Sequence, residues 1–185
     1  MAAHRHAALD RGAAAAQPAL KPRVRLARPS ARDAAEFLAA VRRSRRLHGR
    51  WVAAPATSAA YRAFSRPPAR RISYLVRLRR SGDLVGVINL SEIVRGAFQS
   101  AYLGYYAFAP HAGQGLMAQG VRLVIRDAFR RLRLHRLEAG VQPGNRASLA
   151  FVRALGFRRE GYSPRYLKIA GRWRDHERWA LTRDR

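Results

Sequence analysis

The stretch "FAPHAGQGLMAQGVRLVIRDAF", Phe108 to Phe129, carries the reading of the fold. It leaves an apolar run, passes a proline and two closely spaced glycines, and enters a pattern with apolar residues at helical spacing. Val121, Val124, Ile125, Ala128 and Leu132 share one face of that helix. Glycine is entropically expensive to order, so Gly113 and Gly115 mark backbone that must go where other residues cannot. A strand ending near Pro110 followed at once by a helix also leaves unpaired N–H groups, and the positive end of the helix dipole, facing out of the turn. Two readings follow: a plain tight turn, or a cradle for an anion approaching bare backbone. The turn lacks the GxxxxGK[ST] loop, and it lacks the third glycine and acidic partner of the dinucleotide fingerprint.

Outward from this turn the chain alternates between the two periodicities. Upstream, "RVRLARP" is a short strand, and Ser30 with Asp33 opens a first helix through Phe37, Leu38 and Val41 that runs to Gly49. Thr57 and Ser58 open a second short helix. "RISYLVRLRRSGDLVGVINLSE" reads as a hairpin and "SAYLGYYAFAP" as the next strand. Downstream, "HRLEAGVQP" is a strand, "NRASLAFVRALGF" a helix stopped by Gly156, and the remainder two strands around Gly171. Strand, two helices, three strands, helix, strand, helix and two strands make an α+β fold, a mixed sheet flanked by helices.

The 185 residues suit one domain, assigned to 23–185. The alanine-rich segment 1–22 has no regular apolar face and reads as a disordered tail. No apolar run reaches membrane-spanning length, which predicts no membrane partner. With no cysteine there is neither disulfide nor thiolate chemistry. His111, His135 and His176 have no metal-ligand spacing, so no metal is expected. A cytoplasmic location fits the missing cysteines.

The net charge of +26 has two explanations. It suits an anionic partner such as a ribosome or nucleic acid. It also suits a GC-rich genome, because the basic residues are nearly all arginine, with Lys21 and Lys168 the only lysines.

Four motifs in order resolve the glycine turn. The sequence Ala112-Gly113-Gln114-Gly115-Leu116-Met117 resembles the acyl-coenzyme A loop, [Q/R]-x-x-G-x-[G/A], of the GNAT superfamily of acetyltransferases, with Ala112 where Gln or Arg is usual. "NRASLAFVRALGFRREG", "YLKIAGRWRDHERWAL" and "SEIVRGAFQSAYLGY" are similar to the branch that acetylates the N-terminal alanine of ribosomal protein S5. The likeness runs from about Arg23 to Thr182.

The resemblance implies an acetyl-CoA cosubstrate and transfer to a primary amine, with a ribosomal protein N-terminus as the favoured acceptor. A small-molecule amine, or an inactive basic module binding ribosome or nucleic acid, are the alternatives. It implies cofactor contacts at Ala112, Gly113, Gln114, Gly115, Leu116 and Met117, with the pantetheine arm bonding strand backbone near Phe108. A backbone N–H there would hold the oxyanion. Asn145 serves as helix cap or as a contact to the arm. Ser148, one turn on, stands as proton donor beside solvent, because Val152 occupies the place where many relatives have a tyrosine. Glu138 has the parity to face the cleft and Glu92 lies beside a substrate groove; these are the candidate bases, with a water relay as the third option. Arg95, Arg165, Arg172 and Arg174 are placed on the rim. Tyr102, Tyr105, Tyr106, Tyr162 and Tyr166 alternate as core or cleft lining, and none is assigned a catalytic role.

Overall fold

The computed structural model describes residues 22–183. The tail reading of 1–22 falls almost wholly outside the described residues. Seven strands form one sheet in the order β1-β2-β3-β4-β5-β7-β6. The strands are β1 (Val24–Ala27), β2 (Ile72–Leu78), β3 (Leu84–Val94), β4 (Ser100–Ala107), β5 (Arg136–Val141), β6 (Arg158–Ile169) and β7 (Arg172–Thr182). Every neighbouring pair is antiparallel except β4 and β5, which run parallel. That single parallel pair needs a crossover, and the helix behind the glycine turn supplies it.

The helices are α1 (Ala34–Arg43), α2 (Arg45–His48), α3 (Ser58–Ser65), α4 (Leu116–Arg130) and α5 (Arg146–Ala154). Asp33 accepts from both the N–H and the hydroxyl of Ser30, which fixes the entry into the first helical turn. The single first helix read from the sequence breaks at Ser44. Its hydroxyl donates to Ala40 O at 2.7 Å and accepts from Ala109 N–H at 3.0 Å, so a distant loop holds the break.

Two cores lie on the two faces of the sheet. On one, α4 sets Val121, Val124 and Ala128 against Val76, Ile88 and Leu90, and Val152 of α5 joins them. A Cβ on Gly120 would lie 3.0 Å from Val76, so this glycine lets α4 approach the sheet. On the other face Phe37, Tyr61, Phe64 and Phe108 cluster with Leu75 and Val87. Adjacent residues Leu75 and Val76 serve opposite cores, as strand alternation demands. The β6–β7 hairpin is the exposed end of the sheet; Lys168 lies on its outer part and Gly171 in its turn.

Candidate active site

The site is made where strand pairing stops. β4 and β5 are in register only at Ser100↔Arg136, Ala101↔Leu137 and Tyr102↔Glu138. Beyond Tyr102 the two strands part, and a cleft of about 490 Å³ lies against the C-terminal end of β4, walled by α2, the glycine turn and α5.

Antiparallel ladders alternate hydrogen-bonded and non-bonded pairs. Phe108 N–H donates to Val85 O at 2.8 Å, so Phe108 is a bonded position on the β3 side. By the β3–β4 register, Ala107 and Tyr105 fall at the alternate positions. Their backbone groups face away from β3, towards the gap. His48 confirms the direction by meeting Ala107 O with its Nε2 at 2.8 Å. The backbone donor read near Phe108 is therefore not Phe108's own N–H, which is occupied, and its ring is fully buried against Phe37, His48 and Tyr106. The backbone edge open to the cleft belongs to Tyr105 and Ala107.

At the wide end stands the glycine turn. Gly113 and Gly115 have φ of +77° and +70°, and nothing lies within 4 Å of where a Cβ would project at either. Gly115 is the N-cap of α4 and offers no side chain to cap it. His111 N–H reaches Phe108 O, and Gln119 N–H reaches Gly115 O. The backbone makes one turn at Ala112–Gly113, and the N–H groups of Leu116, Met117 and Ala118 in the first turn of α4 have no backbone acceptor among the described residues. Open donors at the positive end of a 15-residue helix, beside a glycine turn, suit an anion. The residues from Ala112 to Met117 all line the cleft. Gln114 turns its amide back to Pro110 O at 3.1 Å, leaving the backbone bare.

The far wall is α5. Asn145 Oδ1 accepts from Ser148 N–H at 3.2 Å, so Asn145 is the helix cap, and it also lines the cleft. The Ser148 hydroxyl lies 2.6 Å from the Tyr105 hydroxyl. Burial pushes the Tyr105 phenol up to about 12, with the Ser148 bond opposing part of that shift. Tyr105 thus stays protonated and can donate. The sequence placed Ser148 here but passed over its partner. Tyr105 lies on β4, two residues before the strand ends; it differs from Tyr102 both in the face of the sheet it occupies and in lying beyond the end of β5 pairing. Val152 is fully buried in the core.

Neither candidate carboxylate lines the cleft. Glu138 lies in the paired part of β5, where Arg136 on the same face holds it at 2.9 Å. Parity gives the face of a strand but not the end of its pairing, and Glu138 is on the closed side of that point. Glu92 falls in the irregularity of β3 between Ser91 and Val94, with φ +48°; it is exposed and pairs with Arg70 at 3.2 Å. Arg95 donates to Leu132 O, at the opposite end of α4 from the glycine turn, so it is not on the rim. His176 is 3% exposed, pairs through Nδ1 with Arg174 O at 2.9 Å, and is held below the usual histidine range by burial. Among the described residues no group of three His, Asp or Glu side chains converges to hold a metal, and no helix is long and apolar enough to cross a membrane.

This geometry accepts an elongated ligand with an anionic group at the glycine turn and an arm along the β4 backbone. Comparison with known proteins agrees. Residues 23–158 match the acetyltransferase (GNAT) domain family. The chain is 44% identical over 98 residues to the probable N-acetyltransferase YjcK of Bacillus subtilis, covering 53% of this chain and 54% of that protein. It is 42% identical over 100 residues to the ribosomal protein uS5 alanine N-acetyltransferase of Escherichia coli, covering 54% and 52%. The alignments thus span about half the length of these curated relatives. The structure of Mycobacterium smegmatis RimJ in complex with CoA-disulfide superposes with a TM-score of 0.79 at 27% identity, covering 86% of this chain and 81% of that one. With the glycine turn, the parted strands and a family match over most of its length, the chain belongs to the GNAT acetyltransferase family.

Proposed function

We propose that the protein transfers an acetyl group from acetyl-CoA to a primary amine, and that the acceptor is the N-terminal α-amine of a ribosomal protein. The observation that supports the first part is the glycine turn with the open first-turn N–H groups of α4, Leu116 to Ala118, at the mouth of the β4–β5 gap. It fits a pyrophosphate, and the open backbone of Tyr105 and Ala107 fits an amide-bearing arm. The uS5 alanine N-acetyltransferase of Escherichia coli suggests the acceptor.

Bound acetyl-CoA supplies an acetyl thioester. The chain's residues then have three tasks as the C–N bond forms and the C–S bond breaks. The Ala107 N–H, facing the gap, stabilises charge on the acetyl oxygen. The Tyr105–Ser148 pair delivers a proton to the departing sulfur, a role the buried, protonated phenol suits. The attacking amine must be neutral. With Glu92 and Glu138 both outside the cleft, its proton leaves through water.

Calorimetric titration with acetyl-CoA, followed by mass spectrometry of N-terminal peptides after turnover, tests the proposal. Binding with acetylation of the α-amine supports it; absence of binding leaves a basic module without the activity. The arginine-rich surface further suggests an acceptor presented on ribosomal RNA. Acetylation of assembling subunits should then exceed that of the matching peptide, with an advantage that shrinks as salt rises.

A further inference from the structure

Next to the cleft, and separated from it by Trp51, lies a second cavity of about 450 Å³. Trp51 lines both. The other walls come from Arg50, the turn Gln142–Gly144 before α5, and Tyr162, Trp173, Arg174 and Asp175 of the β6–β7 hairpin. The turn presses close: a Cβ on Gly144 would lie 3.1 Å from the Trp51 ring and 3.7 Å from the Arg50 guanidinium.

The charges here are unevenly committed. Asp175 is used on both oxygens, accepting from the Tyr162 hydroxyl and from Arg165 N–H. Arg50 and Arg174 have no carboxylate partner among the described residues. The guanidinium carbon of Arg50 sits 4.4 Å over the Trp51 ring, which fixes its plane and leaves its edge N–H groups free. Arg174 Nε is shut from solvent with no hydrogen-bond partner. What Arg174 brings to the cavity is its charge: it lines the wall with no carboxylate to balance it among the described residues, so the site as a whole is electropositive. Trp173, 61% exposed, adds an apolar wall that no part of the described chain covers.

We propose that this cavity is an acceptor subsite that selects a carboxylate side chain, Glu or Asp, close behind the amine to be acetylated. Arg50 and Arg174 hold the carboxylate from two sides, and the indoles of Trp51 and Trp173 hold the methylenes that carry it. The inference rests on the transferase reading of the adjoining cleft and adds to it the chemistry of the acceptor. Two uncommitted guanidiniums repel a lysine or arginine in the same position, so the subsite rejects as well as attracts.

The test uses N-terminal alanyl peptides that differ at one position, with Glu, Gln or Lys placed in turn at the second to fifth residues, and measures kcat/KM with saturating acetyl-CoA. At one position Glu should exceed Gln by about tenfold or more, and Lys should fall below Gln. Arg174→Gln, and independently Arg50→Gln, should shrink the Glu advantage to about twofold or less. Arg174→Glu should turn the preference towards Lys. Circular dichroism establishes that each variant is folded, and the two positions give separate tests if one is not. Equal rates for Glu and Gln at every position, in a protein that binds acetyl-CoA and acetylates these peptides, overturn the subsite alone. Failure to bind acetyl-CoA or to acetylate any peptide overturns the transferase reading, and the subsite with it.

Discussion

The two halves of β4 differ in what lies beside them rather than in what they are made of. Ser100, Ala101 and Tyr102 pair with β5 on one edge, and Ser100 and Tyr102 pair with β3 on the other. Tyr105 and Ala107 keep the β3 partner and lose β5. Each half carries a tyrosine bonded to a hydroxyl: Tyr102 to Tyr166 at 2.8 Å, Tyr105 to Ser148 at 2.6 Å. Only the second pair lies in the cleft. The two tyrosines lie on opposite faces of the sheet and on opposite sides of the point where β5 leaves, and under the proposed mechanism only the one beside the cleft takes part in the reaction.

The largest effect should come from the open half. Tyr105→Phe and Ser148→Ala should each lower kcat by about ten- to a thousandfold, with little change in acetyl-CoA affinity. The double variant should be no slower than the slower single one, because the two hydroxyls act as a unit. The same change at Tyr102 provides the contrast: Tyr102→Phe should leave kcat unchanged. Single-turnover kinetics on all four proteins would break the comparison if Tyr102 and Tyr105 behave alike.

Gly86 sharpens it from the β3 side. A Cβ there would sit 2.5 Å from both Met117 Sδ and Tyr106 O. Gly86→Val should cost about 1–3 kcal/mol by overpacking, and lower Tm by roughly 2–4 °C for each kcal/mol. A melting curve unchanged by this substitution would mean that β3 and the start of α4 can part without penalty.

Gly115 sits in open space instead. Gly115→Val should weaken acetyl-CoA binding by more than about tenfold, or roughly 1.4 kcal/mol, by putting bulk where the anion approaches. Gly115→Ala carries the backbone strain at φ +70° with far less bulk, so titration of both separates the two causes. Asn145→Ala should lower stability by about 1 kcal/mol through loss of the α5 cap, an effect Asn145→Asp avoids.

The smallest expected effect is an absence. Since burial holds Tyr105 at about 12, kcat should rise as the amine loses its proton and then stay level to about pH 10. A falling alkaline limb below that pH would assign the proton donor to another group.

The order of elements along the chain, the glycine turn and the α5 cap were legible because each is written in local spacing. Ser30 with Asp33, Gly113 with Gly115, and Asn145 with Ser148 all act within a few residues. What escaped is long-range. Tyr105 meets a serine 43 residues away, His48 reaches a carbonyl 59 residues on, and Ser44 breaks α1 by accepting from Ala109. Glu138 shows the same limit in reverse. Its parity was read from the strand, but the place where β4 and β5 part depends on α2, α5 and the glycine turn together.

Lys168 on the outer hairpin has a consequence for how such a protein ages. On the proposed activity the chain would hold an activated thioester, an acylating reagent whose natural targets are neutral lysine amines. Guanidinium groups do not deprotonate in proteins and so offer that reagent no free pair of electrons. With Lys21 as the only other lysine, the positive charge of the chain comes almost entirely from groups that the proposed cosubstrate would leave chemically untouched. Its charge should therefore persist through long exposure to acetyl-CoA, where a lysine-rich surface would gradually be neutralised.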